Sequence, residues 1–164
     1  MRQPKEQLPE VYVQPGESLL VTEPTILRTL LSSCVGIAFR IPRLGIGALC
    51  HPMLPNCPVN GTASLSLAAG RRYVDFVIRD LARQFDAYGA RRSEVEAKLF
   101  GGGDVLLVTS DASRPTVGRL NCEAALRVLK EEGFDVVSSS LGGICGVNIH
   151  FHTGTGEVLL KRHS

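Results

Sequence analysis

Short apolar runs along the chain are separated by polar segments that contain glycine and proline. Runs of this length that are rich in β-branched residues are typical of strands. They predict strands at residues 19–21, 35–39, 46–50, 95–100, 134–140, 147–152 and 157–161, with a further candidate at 104–109. Residues 41–45, which hold a proline and a glycine, join the second and third runs, so we predict a β-hairpin there.

Two other segments have the period of a helix. Residues 71–88 and 117–132 both place apolar side chains three and four positions apart, which predicts one amphipathic helix in each. A glycine follows each segment directly, Gly89 after the first and Gly133 after the second. Glycine in this position is a common helix stop, so both helices are expected to end there.

The order of the elements predicts the fold class. Strands in pairs with two separated helices favour an α+β fold with mixed sheets over strict alternation of strand and helix. The 164 residues fit one domain, which we assign to residues 1–164. Within it, the polar residues 1–10 are expected to form a flexible arm and residues 56–70 a surface loop.

The predicted hairpin brings a cysteine and a histidine close together. Cys34 lies where its first strand begins and His51 where its second strand ends. If the turn centres between Pro42 and Arg43, the two residues are directly opposite, with Cβ atoms about 4.5–5.5 Å apart. An imidazole at that distance can take the proton of a thiol and activate it as a nucleophile. Thr29 is the candidate third group, because its hydroxyl can accept a hydrogen bond from the imidazole.

Other interpretations of these residues compete with the pair. A cysteine in an apolar strand is usually inert core, and Cys50 is expected to face the opposite side of the sheet as core. A zinc site built from Cys50, His51 and Cys57 matches no common ligand spacing, so we predict no metal. Three consecutive glycines at 101–103 lack the pattern of a phosphate loop, and close backbone packing or an oxyanion contact, with Gly102 as the candidate, is the better hypothesis.

Composition and charge narrow the function classes. A formal net charge of +2 without a long basic tract does not favour nucleic acid as a partner. The first residues lack the apolar segment of a signal peptide, and no apolar run is long enough to cross a bilayer, so we expect a cytoplasmic protein without membrane insertion. The five cysteines are an odd number and are expected to be free thiols in a reducing compartment.

Several ordered motifs resemble one family, the CheD chemoreceptor glutamine deamidases. Residues 29–36 (TLLSSCVG) resemble its T-x-L-G-S-C-V-A signature, and residues 45–55 (GIGALCHPMLP) resemble its G-x-x-A-H-x-M-L-P block. Further blocks follow in the same order: YVD at 73–75, GA at 89–90, EAKLFGGG at 96–103, VGRLN at 117–121 and LGG at 141–143, followed by Gly146. The resemblance covers the chain from about residue 19 to 161.

The resemblance implies an activity, a site and a fold. It implies a protein-glutamine deamidase that converts glutamines of methyl-accepting chemotaxis receptors to glutamates, with Cys34 as nucleophile, His51 as base and Thr29 completing a triad. Ser33 and Gly102 are the candidate oxyanion or substrate-binding residues. The implied fold is a layered α/β/β/α sandwich with two main helices, similar to deamidases of the cytotoxic necrotizing factor type. No cofactor is implied.

The sequence departs from the family pattern at three places, and other functions compete with deamidation. Ser32 stands where the family has glycine, Val147 stands where it has arginine, and one extra residue precedes His51. The phosphatase CheC is a further partner that the resemblance implies, so the protein is expected to be a monomer or a heterodimer. The rivals are a non-catalytic module that binds CheC, a thiol-dependent hydrolase of small amides and, last, a metal-binding regulator.

Overall fold

The computed structural model describes residues 7–58, 65–104 and 114–163. These ranges form nine strands, namely β1 (Glu10–Tyr12), β2 (Ser18–Val21), β3 (Ile26–Leu31), β4 (Val35–Ile41), β5 (Ile46–Cys50), β6 (Glu96–Gly101), β7 (Asp135–Leu141), β8 (Val147–His152) and β9 (Val158–Arg162). Their helices are α1 (Leu67–Gly70), α2 (Val74–Ala87) and α3 (Val117–Glu131), with 3₁₀ turns at Pro42–Leu44 and Arg92–Glu94. Within the described ranges, no helix is both long and apolar enough to cross a membrane.

The strands form two mixed sheets. The four-stranded sheet has the order β1-β3-β8-β9, with β1 and β3 parallel and the other pairs antiparallel. The five-stranded sheet has the order β2-β5-β4-β6-β7, with β6 and β7 parallel. The predicted α+β class with mixed sheets is therefore confirmed.

The hairpin is confirmed, but its predicted register is wrong. The pairs run from Ile41 opposite Ile46 to Ile37 opposite Cys50. The turn is longer than assumed because Pro42–Leu44 form a 3₁₀ turn that Gly45 closes in the left-handed conformation. This shifts the pairing by two residues, so Cys34 and His51 are not directly opposite. A shift of two leaves both residues on the same face of the sheet, because side chains alternate with period two.

Both long helices pack on one face of the five-stranded sheet. Their apolar sides meet side chains of β4, β5 and β6 in a continuous buried cluster. At its centre the rings of Phe39, Phe85 and Phe134 meet edge to face, with centroids 5.4–6.1 Å apart. Each helix is followed by a glycine at positive φ, Gly89 and Gly133, as predicted.

A second buried cluster lies between the two sheets, and no element of the described ranges covers the other face of the four-stranded sheet. Leu27 and Leu31 of β3 meet Ala38 and Leu49 of the hairpin there. On β8 buried and partly exposed residues alternate, as expected for a sheet covered on one face. The described residues thus form the layers α/β/β, and the second helical layer of the expected sandwich is not found among them.

Other differences from the predictions are local. Glu10 begins β1, which runs beside β3, so the arm predicted for residues 1–10 ends in a strand, while residues 1–6 lie outside the described residues. Leu67–Gly70 form α1 inside the predicted loop. Of the strand candidate at 104–109, residues 105–109 also lie outside the described residues.

Candidate functional site

The candidate site lies between the two sheets. Thr29 belongs to β3 of the four-stranded sheet, and its side chain points inward between those of Leu27 and Leu31. His51 follows the last residue of β5 in the five-stranded sheet. The backbone of His51 is fixed on both sides, since its N–H donates to the Glu17 carbonyl (2.9 Å) and its carbonyl accepts from Gly16 N–H (2.7 Å). Two separate sheets therefore bring these side chains together.

The Thr29 hydroxyl orients the imidazole of His51. Its oxygen lies 2.6 Å from His51 Nδ1, and it donates its single proton to the Val13 carbonyl at 2.7 Å. With that proton committed, the hydroxyl can only accept from the imidazole, so Nδ1 carries the hydrogen. Nε2 is then unprotonated, which is the tautomer that a general base needs.

Burial keeps His51 neutral. The residue is 1% exposed, and loss of solvation lowers the pKa of its imidazole from 6.5 to about 4. Charged imidazole is disfavoured because no described carboxylate compensates it, and the Thr29 hydroxyl brings no charge. At neutral pH the group is therefore an uncharged proton acceptor.

Cys34 lies on the turn between the two sheets, at the point where the chain leaves β3 and enters β4. Three successive carbonyls of this turn accept hydrogen bonds from other elements: Ser32 from Gly103 N–H (2.6 Å), Ser33 from Asn121 Nδ2 (3.0 Å) and Cys34 from Gly102 N–H (2.8 Å). The turn is therefore rigidly held although it carries no regular structure. The thiol itself is half-buried.

The environment of Cys34 favours a thiol over a thiolate. Burial raises its pKa, while hydrogen bonds from its own backbone N–H and from the Ser33 side chain act in the opposite direction. The thiol of Cys34 and the imidazole of His51 are therefore both expected to be uncharged at neutral pH.

The two candidate oxyanion residues differ in their surroundings. The Gly102 N–H already donates to the Cys34 carbonyl, so it is not available to an oxyanion. Gly102 has positive φ, and a Cβ there would overlap the sulfur of Cys122, so glycine is needed for close packing. The Ser33 side chain, in contrast, acts on the thiol as a hydrogen-bond partner that lowers the pKa of Cys34 against the larger effect of burial.

The structure accommodates Ser32 and Val147, the two residues that differ from the family pattern. Among the described residues, only glycines have positive φ, so Ser32 is not forced into a left-handed conformation. Val147 is buried in the cluster between the sheets, where an arginine would need a partner for its charge. Cys50 is fully buried on the helix-facing side, opposite to His51, as the alternation predicts.

Sequence reasoning assigned no role to Asn121, which lies on α3. It is fully buried, and its Nδ2 donates to the carbonyls of Ser33 and Met53, each at 3.0 Å. One of these residues precedes Cys34 and the other follows His51 by two positions. The signal was present in the sequence, because an asparagine interrupts the apolar stripe of an amphipathic helix whose next buried positions are Ala124 and Ala125.

Fold and site together define an α+β protein of two facing sheets with a thiol and a hydroxyl-oriented imidazole at their junction. The chain belongs to the CheD family, since the family model described as CheD chemotactic sensory transduction matches residues 53–162. That range begins two residues after His51, and alignments with relatives extend over the rest of the chain.

Relatives align over nearly the whole length. The chain is 40% identical over 161 residues to a probable chemoreceptor glutamine deamidase CheD 2 of Geobacter sulfurreducens, covering 98% of this chain and 93% of the relative. It is 34% identical to a probable chemoreceptor glutamine deamidase CheD of Maridesulfovibrio salexigens, covering 99% and 96%. A relative of the same name from Caulobacter vibrioides is 33% identical, covering 91% and 75%.

A solved structure resembles the fold alone. The crystal structure of the hypothetical protein YfiH of Bacillus licheniformis superimposes with a TM-score of 0.50 at 13% sequence identity. The match covers 75% of this chain and 49% of that chain, so this protein spans about half its length.

Proposed function

We propose that this protein deamidates glutamine side chains of chemoreceptors, with Cys34 as nucleophile, His51 as base and Thr29 as the group that orients His51. The reaction class follows from membership in a family whose relatives are named chemoreceptor glutamine deamidases. The observation that carries the site assignment is the contact of the Thr29 hydroxyl with His51 Nδ1, because it leaves Nε2 as a proton acceptor.

The first half of the reaction forms a thioester. The Cys34 sulfur attacks the side-chain amide carbon of the glutamine while His51 Nε2 takes the thiol proton. The resulting imidazolium gives this proton to the amide nitrogen, and the carbon–nitrogen bond breaks to release ammonia. The low pKa of His51 assists this second transfer, since an imidazolium in a buried site is a strong acid.

The second half hydrolyses the thioester. A water molecule takes the place of ammonia and attacks the carbonyl carbon, while His51 accepts a proton from it. The carbon–sulfur bond then breaks, the proton returns to the Cys34 sulfur, and the product is a glutamate. Every step is proton transfer or acyl transfer, so the cycle needs no organic cofactor.

The negative oxygen of both tetrahedral intermediates needs hydrogen-bond donors. We assign this role to the backbone N–H groups of Ser33 and Cys34, because the carbonyl groups of the turn are bound on its other side. A preorganised donor of this kind typically accounts for about 10²–10³ in rate.

The expected partners follow from the same proposal. The substrates are methyl-accepting chemotaxis receptors, and the reaction takes place in the cytoplasm, where Cys34 stays reduced. CheC is the candidate regulatory partner, and a monomer or a heterodimer with it is the expected state.

The test is intact-mass analysis of a receptor cytoplasmic fragment incubated with the wild type, with Cys34→Ala and with Cys57→Ala. Each converted glutamine adds about one mass unit, because the amide NH₂ becomes OH. We expect the gain with the wild type and with Cys57→Ala, which removes a cysteine outside the site, and none with Cys34→Ala. If the wild type leaves the receptor mass unchanged, a binding module for CheC becomes the better hypothesis.

A further inference from the structure

We infer that Asn121 is a positioning residue that holds the Cys34 turn and the His51 segment in register for the reaction. The inference rests on the proposed function for what the site does, but the contacts that support it do not depend on the identity of the substrate.

Asn121 links the two halves of the site directly. The Ser33 carbonyl belongs to the residue before Cys34, and the Met53 carbonyl lies two residues after His51. The two carbonyls lie on different segments of the chain, and one amide nitrogen donates a proton to each. Only a nitrogen with two protons can do this, so the orientation of the amide follows from its partners.

The same contact orients a backbone donor next to the thiol. In a trans peptide the C=O and the N–H of one unit point in opposite directions. The Ser33 carbonyl points toward Asn121, so the N–H of Cys34 points away from α3. This N–H is one of the two that we assign to the oxyanion. Asn121 therefore controls the direction of the donor as well as the spacing of the site.

Packing of the apolar stripe does not explain an asparagine at this position. Its Oδ1 is buried and has no hydrogen-bond partner among the described residues. A buried acceptor without a partner is unfavourable, and an apolar residue of similar size would continue the stripe formed by Ala124, Ala125 and Val128. What the asparagine adds that an apolar residue cannot is the pair of hydrogen bonds from Nδ2 to the two segments of the site.

The first turn of α3 is packed tightly, which fixes the position of Asn121. Gly118 lies one turn before Asn121, and a Cβ there would overlap the carbonyls of Gly102 and Gly103. The first turns of α3 therefore pack directly on the glycine loop whose N–H groups bind the Cys34 turn. Asn121 projects from a helix that is itself in van der Waals contact with that loop.

The test compares Asn121→Ala with Val128→Ala, a core substitution on the same helix. We measure kcat and KM on the receptor fragment, and the rate of Cys34 alkylation by iodoacetamide between pH 5 and pH 9, resolved by peptide mass. A small misplacement of a reacting group costs about 10²-fold in rate. We therefore expect Asn121→Ala to lower kcat by about 100-fold with KM within about threefold of the wild type.

Alkylation isolates positioning from the deamidation reaction, because it needs no glutamine. In the wild type the pH profile of Cys34 alkylation is expected to depend on His51. In Asn121→Ala we expect the profile of His51→Ala instead, with a rate about tenfold lower at pH 7. Val128→Ala should lower the melting temperature while its kcat and alkylation profile stay those of the wild type.

The proposal is overturned if Asn121→Ala keeps the wild-type alkylation profile, or if Val128→Ala loses as much activity at equal stability. Should Asn121→Ala fail to fold, Asn121→Asp keeps the shape and places an acceptor against both carbonyls, and the same alkylation measurement applies to it. If the wild type does not deamidate the receptor, the proposed function fails, while a changed profile in Asn121→Ala still supports the positioning role.

Discussion

The two faces of the five-stranded sheet differ in what they bury. Toward the helices, its strands present apolar side chains, and Phe39 meets the rings of Phe85 and Phe134 there. Toward the other sheet, leucines and isoleucines share the space with Thr29 and His51, both about 1% exposed. Both faces are buried, but among the described residues only the second brings an imidazole and a hydroxyl into hydrogen-bond contact.

The helix-facing side of the sheet stabilises the fold, while the side between the sheets also holds the groups of the candidate site. A buried polar group is unfavourable unless it has hydrogen-bond partners. Thr29 and His51 satisfy each other and use the Val13 carbonyl as the final acceptor. The helix-facing side needs no such arrangement, because apolar burial is favourable without direction. Substitutions between the sheets are therefore expected to lower activity, and substitutions on the helix-facing side to lower stability.

The largest expected effect is a loss of kcat on substitution of His51, between the two sheets. His51→Ala removes the base, and we expect kcat to fall by about 10²- to 10⁴-fold. Fold should be retained, as judged by circular dichroism, because neighbouring leucines still fill the layer. A loss below tenfold would remove His51 from the proposed mechanism.

The helix-facing side should respond in stability alone. Phe85→Ala leaves a cavity against Phe39 and Phe134, and we expect the free energy of unfolding to fall by about 3–5 kcal/mol. Urea denaturation measures this directly. The kcat of the folded fraction should stay within about threefold of the wild type. A much larger loss of kcat would show that the two faces are not independent.

Two threonines in the same layer sharpen the comparison further. Thr29→Val keeps the shape but removes the acceptor for His51 Nδ1, so we expect kcat to fall by about 10- to 100-fold, with a loss of stability of about 1–3 kcal/mol. Thr153 is also buried, and its hydroxyl oxygen accepts from the Thr25 N–H at 2.9 Å. Thr153→Val should lose similar stability and keep its activity. Equal losses of activity in both variants would contradict the orienting role of Thr29.

The pH dependence gives the smallest expected effect. With the pKa of His51 at about 4, the base stays neutral down to pH 5, so kcat/KM should change less than about twofold between pH 7 and pH 5. An imidazole with an ordinary pKa would lose roughly twentyfold over the same range. A steep fall in kcat/KM near pH 6.5 would show that His51 is not the buried neutral base.

The free energy of unfolding, unlike kcat/KM, should change between pH 7 and pH 5 because of His51. The pKa of His51 is lower in the folded state than in the unfolded chain, so the unfolded chain binds the proton first as pH falls below 6.5. The contribution is fully present above pH 6.5, and between pH 7 and pH 5 it should fall by roughly 2 kcal/mol. His51→Gln, measured by urea denaturation at both pH values, should lack this part of the slope.

The spacing of apolar residues predicted those helices and strands whose pattern lies within a few consecutive residues. The hairpin strands, the two long helices and the glycines after them follow from apolar spacing and turn chemistry. The strand β3 escaped notice because the adjacent polar residues Arg28 and Thr29 interrupt its apolar run. The short β1 has no pattern of its own and exists through pairing with β3.

The candidate site was only partly accessible from the sequence. Cys34, His51 and Thr29 could be singled out from their types, spacing and resemblance, but their hairpin register was wrong by two residues, because the 3₁₀ turn at Pro42–Leu44 lengthens the connection. Asn121 stood on the apolar side of a helix, and nothing in the sequence said which carbonyl groups it would meet.

By itself, then, the sequence determined the local elements, which depend on neighbours a few positions apart, and it indicated the class of fold through their order and the kind of chemistry through motifs that resemble one family. The tertiary structure decided which tautomer His51 adopts, which donors the glycine loop has already used, and how α3 reaches both halves of the site. Each of these depends on groups brought together from different sheets and helices, as when the Val13 carbonyl takes the Thr29 proton. Such contacts arise from the packing of whole layers, which no local pattern specifies.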